Sequence, residues 1–177
     1  NIKLFLLITC IPLIFFLVSF LTLSDYGISW DEPIHFTRGQ AYFNYFWDGS
    51  LTYKDQDFSK RQSIYKETSF TAEYFLKNDS GHPPVNGIFA AFSNFIFYQK
   101  LGILGDVESY HLFNIISASF LVLVVTVFGV IAYGPFVGLI AGLTIATYPL
   151  FFAEGHFNIK DPAEAAFFGA TIFMFWM

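Results

Sequence analysis

The apolar positions of this chain fall in long blocks rather than in the stripes that line a soluble core. Ile2 to Leu23 is apolar apart from Lys3 and a few hydroxyls. As a helix it covers the roughly 30 Å of a bilayer's hydrocarbon layer. Pro12 is expected to kink it. A cleavable signal peptide is the competing reading, with Lys3 as its basic start. The apolar run is long for that, and no small-x-small site precedes Asp25, so an uncleaved anchor is expected. Leu112–Tyr133 forms a second block, Gly134-Pro135 breaks it, and Phe136–Phe152 forms a third, whose glycines and alanines allow close helix packing. A fourth runs from Ala163 to Met177. The predicted spans are therefore 2–23, 112–133, 136–152 and 163–177, and the chain is expected to be a piece of a longer protein.

Between the first two blocks lies a polar stretch, residues 25–111, too aromatic to be a disordered linker. Its rings include Tyr42, Phe43, Tyr45, Phe46, Trp47, Phe58, Tyr65, Phe70, Tyr74 and Phe75. The pattern predicts a helix over Ile34–Trp47 with Phe36, Phe43, Phe46 and Trp47 near one face, lying in the membrane interface. Asp48–Lys77 has no assignable period. Pro83-Pro84 restarts the chain, and Val85–Tyr98 is apolar but short, with Asn86, Ser93 and Asn94 interspersed. If it crosses the bilayer, Asp31 and Asp161 lie on opposite faces; the short length and polar residues favour an interfacial helix, which makes 112–133 and 136–152 a hairpin and puts both acidic segments on the same aqueous side.

Composition agrees with the pattern. The chain is 55% hydrophobic and 21% aromatic with a mean hydropathy of +0.53. Only 13% of residues are charged, against about a quarter in a soluble domain. The net charge of −5 comes with no basic cluster, so no nucleic-acid partner is expected. Cys10 is the only cysteine, which excludes an intrachain disulfide.

Candidate chemistry sits where the blocks end. Asp31-Glu32-Pro33 follows the first span. A carboxylate there can accept a proton from an attacking hydroxyl or hold a metal beside a phosphate. The same residues also suit the cap of a helix beginning at Pro33. His82-Pro83-Pro84 is a rigid step able to aim His82 toward the acidic pair, for a phosphate contact or a proton shuttle; an exposed histidine before a helix is the simpler reading. Glu154-Gly155-His156-Phe157-Asn158-Ile159-Lys160-Asp161-Pro162 concentrates polar residues between two apolar blocks. Lys160 can neutralise a phosphate and His156 can hydrogen-bond to it, while Asp161 either joins them or caps the helix from Pro162. No spacing such as His-x-x-x-His supports a metal site. No cofactor is predicted, with a divalent metal as the lesser alternative.

In this order the motifs resemble a known family. The apolar span is followed by Asp31-Glu32-Pro33-Ile34-His35-Phe36, then Gly81-His82-Pro83-Pro84-Val85. A span starting near Tyr110-His111-Leu112 comes next, and then Asn158-Ile159-Lys160-Asp161-Pro162. The sequence is similar to the N-terminal part of GT-C-fold glycosyltransferases of the protein O-mannosyltransferase and aminoarabinose-transferase superfamily. The resemblance covers nearly the whole chain; each motif is short, and their order and spacing carry the match.

It implies an all-α polytopic membrane protein with about four transmembrane helices here and interfacial helices in its first external loop. It implies transfer of a sugar from a polyprenyl-phosphate donor to a hydroxyl of a protein, lipid or glycan acceptor. The active site would face the non-cytoplasmic side of a plasma, inner or endoplasmic-reticulum membrane. Asp31 would be the base, Glu32 would assist or position it, and Asp161 would lie near the donor phosphate, with His82, His156 and Lys160 as further phosphate contacts. Many relatives carry an arginine at the start of the second span, where this chain has Tyr110, His111 and Asn114; that phosphate contact is then either lost or supplied by Lys160 or His82. The rival class is a transporter or channel component with Asp31, Glu32 and Asp161 on an ion path. Transporter sites usually sit near the bilayer midplane, whereas these acids fall at span ends.

Overall fold

The computed structural model describes residues 2–54, 60–79 and 82–177; Phe58 of the aromatic loop and Gly81 before His82 lie outside the described residues. All regular structure among the described residues is helical. The helices are α1 (Ile2–Leu21), α2 (Glu32–Asp48), α3 (Ala72–Asn78), α4 (Val85–Asn94), α5 (Asp106–Tyr133), α6 (Pro135–Ala146), α7 (Pro149–Phe157) and α8 (Asp161–Trp176). A 3₁₀ turn at Leu23–Asp25 follows α1, and α4 runs on into a π-helical segment, Phe95–Lys100. Two compact units result, one of Asn1–Tyr26 with Asn114–Met177 and one of Gly27–Phe113.

Two helices, α1 over Leu4–Leu21 and α5 over Asp106–Tyr133, are long and apolar enough to cross a membrane; α5 begins in the second unit and runs through the first from Asn114. They correspond to the blocks read at 2–23 and 112–133, although α5 begins six residues before Leu112. The block read as one span over 136–152 is broken. α6 stops at Ala146, α7 starts at Pro149, and the two are bent by 59°. Proline explains this: it disfavours helical backbone at the preceding residue, and Tyr148 is extended at φ −73°, ψ 114°. The fourth block becomes α8, which is 16 residues long and starts at Asp161.

Small residues bring α5 and α6 together, as the glycine content of the third block predicts. A Cβ on Gly129 would stand 2.7 Å from the Cα of Gly138, and one on Gly142 would meet the Thr126 hydroxyl. Beside this seam Phe15 packs with Ala118 and Val122. Its ring also lies 5.6 Å from Phe151 and 5.7 Å from Phe152.

The second unit is built on α2. Its aromatic residues do not share one outward face: Phe36 and Phe43 are buried, while Phe46 and Trp47 are exposed. Phe36 stacks on Tyr110 at 4.1 Å, and Tyr65 meets both rings edge-on. The interior is also polar. The buried Tyr110 hydroxyl meets Gln40 at 2.6 Å and Ser63 at 2.7 Å; Gln40 donates to Asn94, which donates to Asp106 and Ser109. These bonds join α2, α4, the start of α5 and the intervening loop, so their donors and acceptors are satisfied without water. α3 lies in the stretch without a sequence period and is capped by Thr71, whose hydroxyl accepts from the Tyr74 N–H.

α2 and α4 cross at Gly39 and Gly87. A Cβ on Gly39 would collide with the Gly87 carbonyl, and one on Gly87 would stand 3.2 Å from both the Gly39 Cα and the His35 carbonyl oxygen. Backbone meets backbone, so no rotamer change can relieve an added group. Gly39→Ala would gain up to about 1 kcal/mol of helix propensity, yet it is expected to destabilise by about 1–3 kcal/mol overall. Thermal denaturation in detergent checks this against Gly27→Ala, where a Cβ meets nothing within 4 Å, and where a change within about 0.5 kcal/mol is expected.

Candidate functional site

The first turn of α2 separates its two acids. Asp31 occupies the N-cap position but makes no side-chain capping bond. One carboxylate oxygen accepts from the Ser29 hydroxyl at 3.2 Å; the other faces His35 Nε2 at 3.7 Å. Its side chain is 42% exposed. The adjacent Glu32 is fully buried: Oε2 accepts the Ser29 N–H at 2.8 Å, and both oxygens face His111 Nε2 at 3.1 and 3.2 Å. The outward acid thus stands at a solvent-facing helix end. The inward acid ties the Ser29–Glu32 turn to α5.

A chain of charged groups runs from Asp31. Arg38 Nη1 lies 3.0 Å from His35 Nδ1. A guanidinium only donates, so Nδ1 accepts and the ring proton sits on Nε2, directed at Asp31. Arg38 Nε is 2.8 Å from Asp79 Oδ2, with both side chains buried. The other Asp79 oxygen is 3.5 Å from Nδ1 of the half-exposed His82. The rings of His82 and His35 are 5.9 Å apart. His82 thus stands beside His35 and Asp79.

His35, Arg38, Asp79 and His111 are the residues that sequence reasoning did not place here. The signal was present for two of them: Asp31, His35 and Arg38 are spaced four and three apart, which puts them on one helix face. Asp79 and His111 become visible only through tertiary contacts. Tyr110 and His111, at the expected start of the second span, are both fully buried. Neither offers a surface to a phosphate.

The polar segment after α7 lies in the other unit. Asn158 organises it: its side-chain oxygen accepts the backbone N–H groups of Lys160 and Asp161, and its amide donates to Glu154 at 2.7 Å and to Asp161 at 2.9 Å. Asn158, rather than Asp161, therefore satisfies the first N–H groups of α8. Asp161 is exposed and Lys160 partly so. Glu154 and Asp161 border an apolar groove of about 300 Å³ lined by Leu121, Ile145, Phe151 and Ala165. His156 is elsewhere. It is fully buried, with Nδ1 2.7 Å from the Phe152 carbonyl oxygen and Nε2 against the Thr22 hydroxyl and the Ser19 carbonyl, and Tyr26 stacks on it at 4.1 Å. This histidine fastens α1 to α7, and the phosphate contact expected of it has no accessible nitrogen to make it. Among the described residues, no group of three or more His, Cys, Asp or Glu side chains is arranged to hold a metal.

Fold and site together define an all-helical protein with two helices able to cross a membrane and an acid–histidine–arginine cluster at the start of α2. No protein-family model, curated protein or solved structure matches the chain.

Proposed function

We propose that the chain belongs to a GT-C-type membrane glycosyltransferase that moves a sugar from a polyprenyl-phosphate donor to a hydroxyl acceptor at the non-cytoplasmic face. The observation that carries the reading is the pairing of a half-exposed Asp31 with the Nε2–H of His35, whose tautomer Arg38 fixes. A carboxylate that accepts from the Ser29 hydroxyl and faces this N–H is oriented yet open to a substrate, which general-base catalysis requires.

In the proposed step the acceptor hydroxyl attacks the anomeric carbon from the face opposite the phosphate. Its proton passes to Asp31, the new C–O bond forms, and the bond from carbon to the phosphate oxygen breaks. The electron pair leaves on polyprenyl phosphate, and the anomeric configuration inverts. Glu32, held by Ser29 and His111, acts as a positioning residue for the Asp31 turn. Lys160 supplies positive charge to the leaving phosphate, with His82 as a further donor, since developing charge is best met by preorganised dipoles and cations. Asp161 stands near the donor phosphate in the same assignment. The apolar groove that Asp161 borders suits an isoprenoid tail. The reading takes α1, α5, the bent α6–α7 pair and α8 as four crossings.

The test is a donor assay on the full-length protein in membranes. Radiolabelled polyprenyl-phosphate sugars are supplied, and release of polyprenyl phosphate is followed. Release that disappears in Asp31→Asn supports the transferase. Turnover that survives the substitution sinks the assignment of the base.

A further inference from the structure

At the far end of α2 the second unit holds a pocket of about 410 Å³ that the transferase reading does not use. α2 has 17 residues, which places about 25 Å of helix between this pocket and Asp31. The volume lies within the range of small-molecule sites, roughly 300–1,000 Å³. Its wall gathers Lys60, Lys66 and Lys100, three of the seven lysines in a chain whose net charge is −5. Asp48 also lines it, so among the described residues the formal charge of the wall is +2 from three lysines and one aspartate.

Two of these lysines rest on aromatic faces. Lys66 Nζ lies over the Tyr53 ring at 5.4 Å and Lys100 Nζ over Phe95 at 5.0 Å, and neither makes an ion pair among the described residues. A ring face stabilises an ammonium less than a carboxylate or phosphate does. Burial lowers the Lys66 pKa, with Asp48 opposing the shift, so this cation is partly stripped of water. An anion entering the pocket would recover that lost solvation. The remaining wall has a second chemistry. Trp47 and Phe95, with ring centroids 5.4 Å apart, give flat apolar surface, and Ser50, Thr52, Gln62 and Gln99 bring hydroxyl and amide groups. Lysines alone describe an anion site; lysines beside exposed rings and amides describe a site for an anion carried on a sugar, whose C–H face packs on the rings.

We propose that this pocket binds a phosphorylated saccharide, its phosphate between Lys66 and Lys100 and its ring against Trp47. The source is either a soluble sugar phosphate or a lipid headgroup of the same chemistry. The proposal stands apart from the transferase reading, because its test reads binding rather than turnover.

Full-length protein in zwitterionic nanodiscs is titrated calorimetrically with glucose 6-phosphate, glucose and inorganic phosphate. A second arm compares nanodiscs with and without phosphatidylinositol and asks whether the lipid blocks the soluble probe. Glucose 6-phosphate is expected to bind more tightly than glucose or phosphate. Lys66→Gln/Lys100→Gln is expected to weaken it about 10-fold or more, and Trp47→Ala to reduce its advantage over bare phosphate. Competition by phosphatidylinositol assigns the natural source to a lipid headgroup; its absence, with soluble binding intact, assigns it to a free sugar phosphate. Lys100→Gln alone replaces an exposed side chain, so a loss seen there does not reflect unfolding. Equal binding of phosphate and glucose 6-phosphate overturns the saccharide assignment. No binding of any probe, or equal affinity in wild type and the double variant, overturns the site.

Discussion

Asp31→Asn in the full-length protein is expected to lower sugar transfer about 100- to 10,000-fold, the usual contribution of a positioned general base. The amide keeps the size of the side chain and still accepts from the Ser29 hydroxyl, so the turn before α2 should persist. It cannot take a proton from the acceptor. Unchanged thermal denaturation together with lost turnover separates this from unfolding. His35→Gln makes a different prediction. Asp31 remains but loses the N–H that faces it, and Arg38 Nη1 loses its imidazole acceptor. A fall in kcat smaller than that of Asp31→Asn is expected, with the acid limb of the pH–rate profile displaced. An unchanged profile in His35→Gln would show that the histidine does not orient the base.

The largest expected effect on stability is at the neighbouring carboxylate. Glu32 and His111 are both fully buried and face each other at 3.1 Å. Truncating one partner of such a pair strands the other away from water, at a cost of about 3–5 kcal/mol. Glu32→Ala also removes the acceptor of the Ser29 N–H and leaves a cavity beneath the turn that carries Asp31. Glu32→Gln keeps the shape and an acceptor, and should recover part of the loss. Denaturation midpoints in detergent for Glu32→Ala, His111→Ala and the double variant provide the check: the double variant is expected to cost well under the sum of the singles. Additive costs would mean that the two groups are not coupled.

Much of the architecture was legible because blocks of apolar residues and prolines are local signals. The first and second spans, the start of α2 at the Asp31-Glu32-Pro33 step and the start of α4 after Pro83-Pro84 all follow from residues within a few positions of the feature. The break in the third block was legible too: Pro149 was there to be read, but a run of uniformly apolar residues hides it from any hydropathy window. α3 was missed because seven residues are too few to show a period, although Thr71 marks its start. The site divides in the same way. Asp31 and His35 share a helix face by spacing alone. That Glu32 turns inward and Asp31 outward depends on His111, some 79 residues away in sequence. His156 was misjudged for the same reason. A histidine in a polar segment suggests a ligand contact, and only the tertiary packing of Tyr26, Thr22 and Phe152 around it shows a structural role.

The Gly39–Gly87 crossing bears on the cluster as well as on stability. His35 lies one helical turn before Gly39, and His82 lies three residues before the first residue of α4. The gap between the backbone segments that carry these two imidazoles is therefore gauged by a backbone-to-backbone contact whose width is a sum of atomic radii. Such a gauge has no adjustable part: it does not depend on a rotamer, a titrating group or a bound ion. It should hold the backbone beneath the two histidines at constant separation as pH and temperature vary, and leave substrate-driven adjustment to their side chains.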